Sequence, residues 1–298
     1  MNVPFFLSCE ESVSGRFDPH ALWSTSGACH PNSPAPPGVR SGTFDGRTLS
    51  VSERTNMSQY VPRRGSYGID APYAFAFICF LVFLELALAI DEAVTSGRFR
   101  LFSAVFFVFM IAALYLHFTL RGKFLVWAEL LDQLNLRGDE RILDMGCGRG
   151  AVLLMAAQRL TTGRAVGVDL WRGFDQSGNS ADATRKNAVA EGVAERIELH
   201  TGDMSALPFE DNSFDLIVSS LAIHNIPGSA RAKAIDEAVR VLRPGGRLMI
   251  VDVRGTGRHQ EQLVRLGMLD VSRRRPGWHQ WWGGLLGVLR ATKPANGK

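Results

Sequence analysis

Ile142-Leu143-Asp144-Met145-Gly146-Cys147-Gly148-Arg149-Gly150 decides the fold. An apolar strand runs into a glycine turn, and a helical stretch, Ala151–Leu160, follows at once. Glycines suit such a turn because it needs unusual dihedrals, and because a side chain would keep a ligand off the backbone. The helix N-terminus beyond it offers unpaired N–H groups and the positive end of a dipole. Outward from this loop, strand patterns fall at Arg141–Asp144, Ala165–Asp169, Ile197–His200, Phe214–Ser219 and Arg247–Val253. Helical stretches Ser180–Glu191 and Ala230–Leu242 lie between them. Strands alternating with helices predict an α/β fold, with a parallel sheet covered on both faces.

Gly146-x-Gly148-x-x-Ala151 also satisfies a loose dinucleotide-binding pattern, so the loop alone leaves an NAD-type oxidoreductase open. Three acids weigh on the choice. Asp144 stands two residues before the first glycine, where a carboxylate opposes a pyrophosphate but suits an ammonium or sulfonium group. Asp169 ends the next strand, where it can accept from two ribose hydroxyls. Asp203 follows the third strand, where it can accept from an adenine amino group. Dinucleotide sites also use the second acid, so only Asp144 and Asp203 discriminate.

Further segments settle the direction. Gly202-Asp203-Met204-Ser205-Ala206-Leu207-Pro208-Phe209 is followed by Asn212-Ser213-Phe214-Asp215-Leu216-Ile217-Val218-Ser219-Ser220, then by Val241-Leu242-Arg243-Pro244-Gly245-Gly246-Arg247-Leu248. With the glycine loop, these make residues 141–253 resemble a class I S-adenosylmethionine-dependent methyltransferase domain. The resemblance implies a Rossmann-like seven-stranded sheet, with its closing strands on Leu269–Ser272 and Gly287–Thr292, and S-adenosyl-L-methionine across the strand ends. It further implies that Asp144 and Gly146 hold the methionine amino group, and that Gly148 and Gly150 let the cofactor lie on the backbone. Asp169 would take the ribose with Leu170 beside the adenine, Asp203 the adenine amino group with Met204 on the ring, and Ser219 would pass the methionine portion.

The candidate catalytic residue is His224, just past the fourth strand. It is either a general base for an acceptor that carries a proton or a residue that shapes the acceptor pocket. Asn225-Ile226-Pro227-Gly228 resembles in part the Asn-Pro-Pro-Tyr signature of amine methyltransferases, but lacks the second proline and the aromatic. The connection Leu170–Ser180 is longer than usual for the family and is expected near the adenosine end. Arg273–Trp282 sets a basic run beside three tryptophans, which suits a lipid headgroup contact or an ordinary loop.

Upstream, Ala71–Ile90 and Leu101–Leu120 are apolar runs of about 20 residues, the length that spans a bilayer core. Neither has a polar face, so a two-helix membrane hairpin over residues 58–123 is expected, with Glu85 its weak point. Basic residues at its outer ends (Arg54, Arg63, Arg64, Arg121, Lys123) exceed those in the link (Arg98, Arg100), which favours both ends and the catalytic domain on the cytoplasmic side. Residues 1–57 are rich in Ser, Gly and Pro without periodicity, and disorder is expected there. Met57 is a candidate start, and Phe5-Phe6-Leu7 is too short for a signal-peptide core. Residues 124–298 are assigned to the methyltransferase domain, so a cut after residue 123 is expected to leave it soluble and cofactor-competent.

The net charge of +4 is spread along the chain, which argues against a nucleic-acid binder. Cys9, Cys29, Cys79 and Cys147 show no metal-ligand spacing and are expected reduced. No metal and no obligate protein partner are expected. The function these readings favour is methylation of a small, lipophilic or membrane-associated acceptor. The alternative is a membrane-tethered cofactor-binding adaptor without turnover.

Overall fold

The computed structural model describes residues 63–97, 102–275 and 286–295. The readings for residues 1–57, Cys9, Cys29, Arg98, Arg100 and the tryptophan-rich tail lie outside the described residues.

Helix α1 (Pro72–Ser96) starts on a proline at its first position, where the missing N–H costs nothing, and stops on Gly97 in the left-handed conformation. Helix α2 (Phe102–His117) runs back beside it. Phe75 of α1 stacks on Tyr115 of α2 at 5.7 Å, so the start of α1 and the end of α2 lie together. Phe77, Phe80 and Phe83 of α1 and Phe106, Phe107 and Phe109 of α2 are exposed, whereas Glu85 is half-buried. Both helical stretches are long and apolar enough to cross a bilayer.

The second of them does not end where its apolar run ends. A π-helical turn, Phe118–Gly122, carries it into α3 (Lys123–Asp132). Phe124, Trp127 and Leu131 recur at helical spacing and are buried in the domain core, together with Phe118 and Tyr67. The boundary drawn between residues 123 and 124 therefore falls inside one continuous helical stretch. A chain cut there would lose Tyr67 and Phe118 from the core.

The domain itself is a seven-stranded sheet in the order β3-β2-β1-β4-β5-β7-β6. Its strands are β1 (Arg141–Met145), β2 (Arg164–Asp169), β3 (Ile197–Thr201), β4 (Phe214–Ser220), β5 (Leu242–Asp252), β6 (Leu269–Arg274) and β7 (Gly287–Thr292). The first five pair in parallel with one another, and β7 runs antiparallel between β5 and β6. Apolar residues alternate between the two faces. Ile142, Leu216, Val218 and Met249 meet α3 and α4 (Ala151–Ala157) on one side. Leu143, Ile217, Leu248 and Ile250 meet α6 (Gly228–Val241) and α7 (Thr256–Arg265) on the other. Helix α5 (Ala181–Ala190) follows the long connection after β2 and is capped by the Ser180 hydroxyl, which accepts from the Ala183 amide.

Strand β5 starts five residues earlier than Arg247. The reason is Lys293, whose backbone exchanges hydrogen bonds with Gly245 and Gly246 and whose ammonium donates to the Leu242 carbonyl at 2.6 Å. That pairing draws the Pro-Gly-Gly segment into the sheet.

Candidate cofactor and acceptor site

The parallel strands deliver their carboxyl ends to one edge, where ligands of such sheets bind. A cavity of about 530 Å³ lies there, within the range of small-molecule sites. One pole is the glycine loop. The Gly146 amide donates to the Val168 carbonyl, and a φ of 76° makes a side chain there strained. A Cβ would also stand 2.3 Å from that of Ala222 and 3.1 Å from the Met204 methyl. At Gly148 it would meet the Gln176 side-chain oxygen at 2.6 Å. The cradle is therefore closed to any residue but glycine.

Asp144 is fully buried behind this loop and lines the cavity, and neither of its carboxylate oxygens has a partner in good hydrogen-bond geometry. Burial pushes its pKa to about 8, with the Leu153 amide working against the rise and the charge of Asp169 adding to it. A buried carboxyl facing a cavity suits a cationic donor, and the ammonium of S-adenosylmethionine would supply that chemistry.

Asp169 lines the same pole but already has partners. Its Oδ2 accepts from the Gly148 amide at 2.8 Å, and its Oδ1 from the Trp171 amide at 2.6 Å and from Asn179 at 3.3 Å. Leu170 and Met204 line the cavity too. Asp203 sits at its exposed rim, where Oδ1 accepts from both the amide and hydroxyl of Ser205, which lowers its pKa.

Two expected residues lie elsewhere. Gly150 caps α4 and faces Thr184 and Leu154, so its small size serves packing and not the cavity. Ser219 is buried with its hydroxyl bonded to the Met145 carbonyl at 2.8 Å. Its neighbour Ser220 lines the cavity and accepts from the Trp127 indole N–H at 2.8 Å. Ser219 was expected where the chain passes the methionine portion; its side chain faces away from the cavity, because in a strand one residue changes the face.

The other pole is built by residues with no motif of their own. His224 lines it, on the short 3₁₀ turn Ile223–Asn225. Its Nδ1 stands 2.7 Å from Oδ1 of the buried Asp252 at the end of β5. The N–H direction is off line for a hydrogen bond, so charge and the Asp252 Oδ2 contact to the His224 amide at 3.1 Å couple the two. Asp252 was missed, although an acid closing an apolar strand is the same signal that marked Asp144 and Asp169.

A second missed cluster joins the hairpin to the glycine loop. Lys123, nearly buried, pairs with Asp70 at 2.8 Å, and the same carboxylate accepts from Thr119 at 2.9 Å and Gln176 at 2.8 Å. Gln176 in turn accepts from the Arg149 amide at 2.8 Å. Thr119 lies in the π-helical turn and Lys123 follows directly on it, and both line the cavity. Residues ahead of α1 act as a strap across α5: the Arg64 and Gly65 amides donate to Glu191, and Ser66 and Asn187 exchange hydrogen bonds.

With this geometry in place, the comparisons with known proteins fall into line. Residues 143–250 match the methyltransferase domain family. The chain is 37% identical over 128 residues to the ubiquinone/menaquinone biosynthesis C-methyltransferase UbiE of Roseobacter denitrificans, covering 43% of this chain and 48% of that protein. It is 33% identical over 133 residues to the demethylmenaquinone methyltransferase of Symbiobacterium thermophilum, covering 44% and 50%. The chain thus spans about half the length of the curated relatives it matches. A crystal structure of an S-adenosylmethionine-dependent methyltransferase from Aquifex aeolicus aligns over 56% of this chain and 88% of its own, with a TM-score of 0.46 and 18% identity. The segment is a methyltransferase domain. More narrowly, it is of the class I, S-adenosylmethionine-dependent kind.

If Asp169 holds the ribose, Asp169→Ala should weaken cofactor binding by about 1–3 kcal/mol, because the hydroxyls lose their acceptor. Calorimetric titration reads this directly. Wild-type affinity in the variant would leave Asp169 only as a brace of the glycine loop.

Proposed function

We propose that the chain is a membrane-bound methyltransferase whose acceptor is lipophilic, with the catalytic domain on the cytoplasmic side. The observation that carries this reading is one cavity with two unlike poles. Asp144, Gly146 and Gly148 form the cofactor pole, and Ala71, Ala74, Tyr115 and Phe118 at the base of the apolar helices form part of the other. Apolar helices with exposed phenylalanines all round suit lipid better than water. Arg63, Arg64 and Arg121 at the domain end favour that end inside. The relatives named for ubiquinone and menaquinone C-methylation support an acceptor of quinol type, a ring with an ionisable hydroxyl on an apolar body.

The cofactor, when bound, supplies a methyl group on a sulfonium. The chain's residues supply position and proton handling. Asp144 neutralises the ammonium and so fixes the methionine end. Apolar walls exclude water from the acceptor pole. His224, whose backbone amide donates to Asp252, lines the acceptor pole and is the group placed to take the acceptor's hydroxyl proton.

The test uses full-length protein in purified membranes given methyl-labelled S-adenosylmethionine. Label should enter the lipid extract with release of S-adenosylhomocysteine, and the chain should leave the membrane only in detergent. Recovery in the aqueous fraction without detergent would overturn the membrane reading. Stoichiometric cofactor binding with no S-adenosylhomocysteine would make the chain an adaptor.

A further inference from the structure

The long connection after β2 ends on the hairpin. Phe174 at its tip is 70% exposed, and its ring stacks on Tyr73, itself 65% exposed, at 5.0 Å between centroids. The tip is fastened on its far side to the chain just ahead of α1. The Ala71 amide donates to the Asp175 carbonyl at 3.0 Å, Asp70 bridges Gln176, and the Ser177 amide donates to Ile69. At its near side, Trp171 takes a φ of 57°, which its amide bond to Asp169 and its indole bond to Thr201 at 2.8 Å hold in place. A non-glycine residue in that region needs such restraint, so the direction of the tip is built in.

Phe174, Leu170, Ala71 and Ala74 share two properties: each lines the cavity, and each is exposed. They are the apolar part of its rim, which Arg172 and Asp203 share. Two large exposed aromatics and a leucine at the mouth of a site are costly in water, since each leaves apolar area uncovered. The depth of this rim follows from the helix it touches. Tyr73 lies in the first turn of α1, where a spanning helix leaves the hydrocarbon and where aromatic residues gather at headgroup level. Phe174 stacks on Tyr73, so it occupies the same depth.

We propose that this lip of Phe174, Leu170 and Tyr73 is set into the lipid interface, so that the cavity opens to the bilayer and the acceptor enters past Ala71 and Ala74 without crossing water. The inference rests on the membrane reading above, and adds to it that the catalytic domain itself, through the connection after β2, is a membrane-contacting surface. The hairpin is then a wall of the entrance as well as an anchor. Its occupant is lipid, because the rim continues directly into the exposed apolar surface of α1.

The test places a nitroxide at single cysteines in the full-length chain carrying Cys9→Ser, Cys29→Ser and Cys79→Ser. Cys147 can stay, since it is buried and burial holds its thiol protonated. Labels go at Phe174→Cys, at Phe83→Cys in the middle of α1, and at Thr162→Cys, exposed ahead of β2 at the opposite edge of the sheet. Proteins are placed in phosphatidylcholine vesicles, and collision with oxygen is compared with collision with a water-soluble nickel chelate. Labels at 83 and 174 should both lose nickel collisions relative to 162 and gain oxygen collisions. A lipid-shielded 83 with a 174 as open to nickel as 162 would overturn the lip while leaving the hairpin in place. A 174 label closed to both reagents would mean that protein covers the rim, which also overturns it. A nickel-accessible 83 would remove the membrane reading and this inference with it.

Discussion

Binding of S-adenosylmethionine at pH 7 is expected to release a proton from Asp144. The group is buried, has only the Leu153 amide turned toward it, and has its pKa pushed to about 8. At pH 7 such a group is mostly protonated in the free protein. An ammonium delivered beside it favours the carboxylate, so the proton leaves as the cofactor arrives. The sign for stability follows. A carboxyl whose folded pKa lies above its unfolded value stabilises the fold through its neutral form, so that contribution is present at low pH and fades as pH rises from about 4 toward 8. The cofactor reverses this, and should raise the melting temperature more at pH 8 than at pH 6. Calorimetry in two buffers of different ionisation heat counts the protons. The cofactor's own amino group titrates in the same range, so the decisive quantity is the difference between wild type and Asp144→Asn. The variant should bind more weakly and lack the release. Equal proton counts in both would show that Asp144 is already ionised in the free protein.

Asp144 was legible because it belongs to a local pattern. An apolar strand, an acid and three spaced glycines lie within nine residues, and each has a backbone reason to be there. The same locality made the first five strands readable to within a few residues, apart from the early start of β5, which depends on a lysine about 50 residues downstream, while the last two were placed only by the family resemblance. The Asp70 cluster had no such signature. Asp70 and Gln176 are 106 residues apart, and nothing near either marks it as a partner of the other. Lys123 read as a basic flank of a membrane run, whereas it is a nearly buried ion-pair partner. The boundary at residue 123 was set where the apolar run ends and alternating strands and helices begin. Phe124, Trp127 and Leu131 continue the helical period past the end of the apolar run, and that period was the signal to follow. Ser219 was placed by motif without its face, and the alternation of β4 gives the cavity position to Ser220.

His224→Gln is expected to lower turnover by about 10²–10⁴ while cofactor affinity holds, because a general base contributes on that scale. The geometry now gives reasons the sequence could not. His224 lines the cavity, and Nδ1 lies 2.7 Å from a carboxylate that is itself almost fully buried. Asp252 also accepts from the His224 backbone amide at 3.1 Å, which fixes the turn that carries the ring. Asp252 is accordingly a positioning residue, acting through His224 and not on the acceptor. Two results separate a base from a residue that merely shapes the pocket. The first is the pH–rate profile in the membrane assay. If His224 is the base, any acidic limb of the wild-type profile should be absent from the glutamine variant, which runs at its reduced rate. The second is Asp252→Asn, which keeps the shape but removes the charge facing Nδ1. It should lower turnover with little change in the acceptor KM, whereas a purely steric role for His224 predicts a raised KM and an unshifted profile. An acidic limb that persists unchanged in His224→Gln would assign the titration to another group and leave His224 as part of the acceptor wall.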